Sequence, residues 1–451
     1  MTHKKCCAGL ARIGLLFAVA VALAFPAMAQ WKEKVLYSFQ GGTTDGSGPT
    51  GGVVFDTQGN LYGATTGGGP ASCAPVGNEC GTVFQLSPPA QKGGSWTETL
   101  IYQFQGKGAN DASVPSGGLI RDTAGNLYGV TAYGGPGDCV LLGVPAGCGT
   151  VYQLSPPKRK GGAWTETILY SFPTAKQGYF PNGDLVFDGT GNLYGATAFG
   201  GTKGATCDKF YGGQCGVVFK LSPPKDQGGK WTEKVLHSFA GGTDGANPNG
   251  GLRLDRTGAI YGTTVWGGST TWQGPGCGTA FELKPPTRMG NPWTEKILHR
   301  FTGGNDGEGP NGGLIFDTKG ALYGTTINAG PGNGRGTVFK LSPPNAHSRS
   351  WMETFVHVFT SCNGSAPCEP NAGVVFDSVG NLYGTATDFL FRLKPPVRKG
   401  GSWSLAVLYM FKGSPDGSAP GELIFGSTGA IYGPTGGSGA SGNGTVFRVA
   451  P

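Results

Sequence analysis

Charge is scarce in this chain. Asp, Glu, Lys and Arg make up only 14% of its 451 residues, with 34 basic residues against 27 acidic. So weak and scattered a balance gives no footprint for nucleic acid or for a membrane surface. Histidine is scarcer still, at five residues, which leaves little for a nucleophile–histidine arrangement. Long apolar runs are absent except at 9–26, so nothing beyond that stretch can span a membrane as a helix. What the chain has in excess is Gly, 86 residues, and Pro, 32, about a quarter of the total. An interior Gly costs a helix about 1 kcal/mol and an interior Pro about 3 kcal/mol, so a mostly helical fold is excluded. With 38% hydrophobic and 11% aromatic residues the chain is not disordered either. An all-β protein with ample core remains.

The one apolar run has the form of a secretory leader. Lys4 and Lys5 precede it, Arg12 is its single charge, and Ala27-Met28-Ala29 supplies a small-x-small cleavage site. The expected mature chain is 30–451, a single secreted domain. Removing Lys4, Lys5 and Arg12 from the 34 basic residues leaves 31 against 27 acidic.

Of the 11 cysteines, Cys6 and Cys7 fall in the leader. Eight others form close pairs: Cys73/Cys80, Cys139/Cys148, Cys207/Cys215 and Cys362/Cys368. Export and paired spacing predict four disulfides, each within one loop. None of the pairs has CxxC spacing or a neighbouring His, so zinc is not expected there. Cys277 is left over as a free thiol.

Internal repeats settle the architecture. Trp recurs at 31, 96, 164, 231, 293, 351 and 403, and a Tyr-Gly pair begins at 62, 128, 194, 261, 323, 383 and 432. A Gly-Thr-Val-Phe-like signature recurs at 81, 149, 216, 278, 336 and 444, with a degenerate copy at 389–391. Each unit holds four short strand candidates. In the fifth they are 313–317, 321–326, 337–341 and 351–359, and the last alternates polar and apolar residues. Four strands per unit, seven units and no helices predict a seven-bladed β-propeller. The apolar, glycine-flanked 313-type strand is expected innermost and the Trp-type strand outermost. The seventh blade then lacks an outer strand unless 31–39 supplies it, so 31–39 is expected to pair with 445–449 and close the ring. An open solenoid is the alternative.

The repeat resembles the GloVer-type tandem repeat of bacterial choice-of-anchor surface proteins. The matching residues are Gly-Gly-Leu-Ile-Phe-Asp at 312–317, Gly-Asn-Leu-Tyr-Gly at 191–195, Gly-Thr-Val-Phe-Lys-Leu at 336–341 and Trp-Thr-Glu at 96–98. The resemblance covers essentially the whole mature chain. It implies an exported bacterial protein of unassigned activity and carries no catalytic residues. Such proteins often add a C-terminal anchor; this chain ends at Pro451, right after its last strand, which is at odds with one.

Recognisable chemistry is thin. His237, His299 and His357 share one outer-strand position that is Tyr37, Tyr102, Tyr170 and Tyr409 in the other blades. On separate blades they cannot converge on one metal, and they are expected to be surface residues. His347 lies in a polar loop. Gly-rich stretches such as 67–69 lead into no helix and are not phosphate loops. Asp56, Asp122, Asp188, Asp255, Asp317 and Asp377 repeat in one tight turn and read as turn residues; Gly426 takes that place in the last blade. No cofactor or metal is implied.

Function is then sought where the repeat breaks. The residue opening the inner strand is Gly at 52, 118, 251, 313 and 373, but Asp184 in blade three and Glu422 in blade seven. Arg121 and Arg253 replace apolar residues of the same strands. Buried charges need partners, so these four form ion pairs across the channel, or they line a site for a polar ligand or metal at its mouth. Long loops at 67–80, 133–148, 199–215 and 266–277 raise one side of that face. Tyr133, Phe199 and Trp266 stand at the start of three of them, and Phe210, Tyr211 and Trp272 lie further along. The expected function is a monomeric binding module for a glycan or a cell-surface protein, with Asp184, Glu422, Arg121, Arg253, Tyr133, Phe199 and Trp266 as its site. The alternatives are a polysaccharide-acting enzyme using the Asp184/Glu422 pair, and a purely structural surface protein.

Overall fold

The computed structural model describes residues 31–69, 79–106, 111–141, 144–159, 161–202, 214–226, 228–268, 276–288, 290–346, 348–362, 364, 366–398 and 400–451. The fold is all-β, with seven blades of four antiparallel strands around one axis. In the first blade the order from the axis outward is Gly46–Phe55, Leu61–Gly68, Thr82–Ser87 and Thr97–Gln103. The leader expected at 1–29 lies outside the described residues. No helix among the described residues is long and apolar enough to cross a membrane.

The ring closes through its ends. Lys32–Ser38 pairs antiparallel with Thr445–Ala450, from Lys32 opposite Ala450 to Ser38 opposite Thr445. This makes the first strand of the chain the outer strand of the seventh blade, and an open solenoid is excluded.

The sequence signatures converge on the seams between blades. The Phe just past each outer strand packs on an aromatic ring of the next blade's third strand. Examples are Phe39 on Phe84 at 5.0 Å, Phe172 on Phe219 at 5.2 Å and Phe411 on Phe447 at 4.8 Å between ring centroids. The Tyr of the Tyr-Gly pair packs against the following blade's Trp, as in Tyr194 with Trp293 at 6.4 Å. It also meets an inner-strand Phe, as in Tyr128 with Phe187 at 5.0 Å. The Gly of the pair faces the third-strand ring within its own blade: a Cβ on Gly63 would lie 2.4 Å from Phe84. Edge-to-face pairs of this kind add to plain area burial.

The repeated Asp turns are built as expected. Asp56 Oδ1 accepts from the N–H groups of Gln58 at 2.8 Å and Asn60 at 2.9 Å, and Oδ2 accepts from Asn60 Nδ2 at 2.7 Å and the Tyr62 hydroxyl at 3.1 Å. Burial opposes ionisation here, but these hydrogen bonds prevail and hold the carboxyl below its usual range.

Two expectations need correction. The inner strand is not the short 313-type segment alone. In the fifth blade it comprises Glu308–Pro310 and Ile315–Phe316, and in the first, third and fourth blades it is a single strand with a register break. The first piece was not recognised because Gly, Pro and Asn dominate it. The outer-strand histidines are not surface residues. Each is half-buried at a seam with its ring edge-to-face on the Phe two positions on, as in His237 on Phe239 at 4.7 Å. A Tyr site needs a planar ring that reaches the seam, and imidazole meets that need.

Cys139–Cys148 and Cys362–Cys368 are disulfides within single loops. Cys80 and Cys215 are also disulfide-bonded; their expected partners, Cys73 and Cys207, lie outside the described residues. Cys277 is a buried free thiol, pushed up to about 11 by burial and then by Glu308 and Asp306.

Removing residues 30–40 deletes the closing strand and Phe39 and leaves Thr445–Ala450 as an open edge. Light scattering should then show concentration-dependent aggregation. A monomer melting at the native temperature would contradict the closure.

Candidate functional site

The inner strands of the first, third and fourth blades break register midway, between Thr50 and Val54 in the first and between Asn182 and Val186 in the third. At these breaks the backbone comes close to the axis and to its neighbours. A Cβ on Gly117 would lie 2.4 Å from the Gly183 carbonyl oxygen, and one on Gly312 2.2 Å from the Gly373 nitrogen. Seven inner strands crowding one axis leave room there only for glycine or for a residue that reaches across.

Asp184 and Glu422 are the two residues that do so. They come from nearly opposite blades and meet. Asp184 Oδ1 accepts from the Gly118 N–H at 2.6 Å, and Asp184 is hydrogen-bonded to Glu422. The Asp184 charge first, then burial and that shared hydrogen bond, raise the Glu422 carboxyl well above the usual carboxylate range, while Arg253 works against the shift. With its carboxyl held towards the protonated form, Glu422 can donate one hydrogen bond while the remaining carboxyl oxygens accept.

A cavity of about 200 Å³ lies against this pair, lined also by Thr50, Ser116, Asn182, Asn249, Asn311 and Asn371. The side-chain amides form a chain around one side. Asn182 Nδ2 donates to Asn249 Oδ1 at 2.6 Å, Asn249 Nδ2 donates to Asn311 Oδ1, and Asn311 Nδ2 donates to the Asn371 carbonyl at 3.3 Å. Glu422 is half-buried and lines this cavity. The space is smaller than the ~300–1,000 Å³ of pockets for drug-sized ligands. It suits a small polar group.

The other residues singled out from the sequence fall in different places. Arg253 is exposed, and its Nε donates to the Leu314 carbonyl at 2.9 Å. Arg121 sits beside Tyr62 at the far end of its strand and does not line the cavity. Among the described residues neither arginine is within ion-pair distance of Asp184 or Glu422, so the expected ion pairs across the channel do not form; the carboxyls pair with each other. Tyr133 and Phe199 gather around Phe180, at 5.1 Å and 6.0 Å, with Tyr179 stacked on Phe199 at 5.5 Å. Trp266 is half-buried against the core between blades three and four. Phe210, Tyr211, Trp272 and His347 lie outside the described residues.

Larger cavities lie in the seams at the turn face. One of about 590 Å³ has Tyr261, Phe316 and Trp351 as its aromatic lining, with Asp255, Asp317 and Arg256 beside them. Another, of about 450 Å³, repeats it with Phe55, Trp96, Phe425 and Tyr432. These grooves follow from the repeat, whereas the axial pair departs from it.

The reading of the sequence missed one further set of carboxyls. The Glu two residues past the Trp, present in six blades, lies half-buried at a seam. Burial pushes Glu33, Glu98 and Glu233 up to about 7 and Glu166 up to about 8; Asp416, Asp45 and Asp111 reinforce the shift at Glu33, Glu98 and Glu166 in turn. The signal was a carboxylate at a fixed place on six outer strands, five of them facing an Asp seven to nine residues past the aromatic position of the preceding outer strand; Glu233 faces Tyr170 alone.

The fold and the repeated seams define a seven-bladed propeller built from tandem repeats. The chain belongs to the Gloeobacter/Verrucomicrobia repeat family, whose pattern matches residues 25–207 and 139–389. That match concerns the repeat and says nothing of an anchor. No curated protein matches the sequence. Among solved structures it is similar to PorZ, described as an essential surface component of the type-IX secretion system of Porphyromonas gingivalis, at 14% identity and a TM-score of 0.48 over 88% of this chain. The chain spans 46% of PorZ. It is also similar to the PQQ domain of pyranose dehydrogenase from Coprinopsis cinerea, at 13% identity and a TM-score of 0.41 over 94% of this chain and 99% of that one. These likenesses carry no functional argument.

Carboxyls with raised values are protonated in the fold at pH values where the unfolded chain is ionised. Their contribution to stability is complete below about pH 4.5 and is lost as pH rises through about 7 to 8. Buried His357, held below its usual value, opposes this on acidification, but it is one group against several. The melting temperature should therefore rise on going from pH 8 to pH 5. Glu422→Gln should flatten this slope, melting above the native protein at pH 8 and level with it at pH 5. A native melting temperature that falls between pH 8 and pH 5 would overturn this account of the carboxyls.

Proposed function

We propose that this protein is an exported, monomeric binding module that takes a small polyhydroxylated group, such as the terminal sugar of a glycan or cell-envelope polymer, at its axial cavity. The observation that carries the reading is the juxtaposed Asp184–Glu422 pair beside the amide chain of Asn182, Asn249 and Asn311. Together they offer donors and acceptors in alternation, as hydroxyl groups require. Five of the seven blades place Gly at the corresponding position, so closing the ring does not need these carboxyls. A buried pair of like groups also opposes folding once ionised. Arg253 stands close enough to bias the pair, and Tyr133, Phe199 and Trp266 supply apolar surface towards the long-loop face. The leader-like start and the loop disulfides favour export.

The polysaccharide-hydrolase alternative is disfavoured. Carboxyls in hydrogen-bond contact are closer than the ~5–9.5 Å separations of glycoside hydrolysis, and the cavity has no room for a chain. A second reading rests on the seam grooves, whose Tyr261, Phe316 and Trp351 rings beside Asp255 and Asp317 suit sugar faces at more than one seam.

A glycan array followed by calorimetry on the native protein tests both. Under the axial reading, Glu422→Gln and Asp184→Asn weaken binding by about tenfold or more, the loss of a hydrogen bond to a charged group, and Trp351→Ala leaves it unchanged. The reverse pattern favours the seam grooves. Native protein that retains no glycan sinks the proposal.

A further inference from the structure

One position per outer strand sits at a blade seam, between the Asp of the following linker and the Glu of the next outer strand. Where it is Tyr, the hydroxyl donates to that Asp in three seams: Tyr37 to Asp45 at 2.9 Å, Tyr102 to Asp111 at 3.1 Å and Tyr409 to Asp416 at 2.7 Å. His237 does not reproduce this bond. Its buried Nε2 makes no hydrogen bond, although Asp244 Oδ1 lies 3.4 Å away and Glu295 Oε1 3.5 Å away. Glu295 Oε1 is itself buried without a hydrogen-bond partner. At the next seam His299 Nε2 lies 3.0 Å from Asp306 Oδ1 and 3.7 Å from Glu353 Oε2. In each triad one imidazole nitrogen and two carboxylate oxygens fall within 4.8 Å of one another.

These separations have a simple chemical meaning. Zinc binds His nitrogen and carboxylate oxygen at about 2.0–2.2 Å in a tetrahedron, which sets neighbouring donors about 3.3–3.6 Å apart. The 3.4 and 3.5 Å contacts of His237 lie in that range, and those of His299, 3.0 and 3.7 Å, fall on either side of it. One neutral imidazole and two carboxylates balance a doubly charged cation, and at the first seam His237 Nε2 and Glu295 Oε1, which lack hydrogen bonds, gain a partner. Calcium and magnesium prefer all-oxygen shells, so the imidazole selects a transition metal.

We propose that the seams between blades three and four and between blades four and five each bind one divalent transition-metal ion of the zinc type. The ligands are His237, Asp244 and Glu295 at the first and His299, Asp306 and Glu353 at the second, with one coordination position left open. The two ions tie three successive blades together at the outer rim. His357 is an internal control: Gly364 stands where an Asp would be, and Leu405 replaces the Glu of the next blade.

The test uses the full secreted chain, stripped with a chelator and titrated with Zn2+ alone, with bound metal counted by elemental analysis. Two ions per chain are expected. His237→Tyr and His299→Tyr install the residue that four other blades carry and so preserve the fold. Each should lower the count to one, the double variant should bind none, and His357→Tyr should leave two. Co2+ should give the visible spectrum of a low-symmetry site in the native chain and not in the double variant. A stripped native protein that takes up no Zn2+, or a count that the double variant does not change, overturns the proposal and leaves ordinary His–carboxylate contacts.

Discussion

The aromatic seam is the constraint on which the molecule depends. A four-stranded blade is flat and twisted, and it buries both faces only when a neighbour lies on each side. The Phe past the outer strand, the third-strand ring it meets and the Tyr and Trp beside them form that contact at each of the seams, as in Phe39 with Phe84 and Phe411 with Phe447. The Gly of each Tyr-Gly pair is the counterpart, because a side chain on Gly63 would collide with Phe84. Because each blade leans on the next, the arrangement is complete only as a ring. The first strand of the chain completes the last blade for that reason.

The same constraint sets the chemistry of the axis. Seven wedges of this shape bring the inner strands together until backbone meets backbone, and glycine is the ordinary solution. Asp184 and Glu422 are the exceptions, and the crowding that excludes other side chains forces their carboxyls into contact. The two carboxyls are half-buried and line one small cavity, and the nearby Asp184 charge together with burial favours the protonated form of Glu422. The axial pair, its raised affinity for a proton and its amide neighbours thus follow from how tightly the blades pack.

Much of the fold was legible because each signature is a packing requirement repeated in six or all seven blades: Trp, Tyr-Gly and Gly-Thr-Val-Phe mark the seams, and the Asp turn marks the hairpins. The first half of the inner strand was not legible, since stretches such as Glu308–Pro310 are held by backbone pairing and by Gly and Pro geometry rather than by apolar alternation. The departure of Asp184 and Glu422 from the repeat could be read directly, but not their partnership. Opposite signs invited pairing with Arg121 and Arg253, and only the closed ring shows which residues the axis brings together. The seam histidines were judged as a set of three, and that concealed the two that each have an Asp seven residues further on.

The most direct test of the axial account is an infrared difference spectrum of the native protein against Glu422→Gln near neutral pH, in the region of the carboxylic-acid C=O stretch. The account predicts that a protonated-carboxyl band present in the native protein is missing from the variant and that it fades as the pH is raised past about 8. A difference spectrum that shows only ionised carboxylate lost at residue 422 would mean that the two groups do not share a proton, and the axis would then be a structural plug rather than a site.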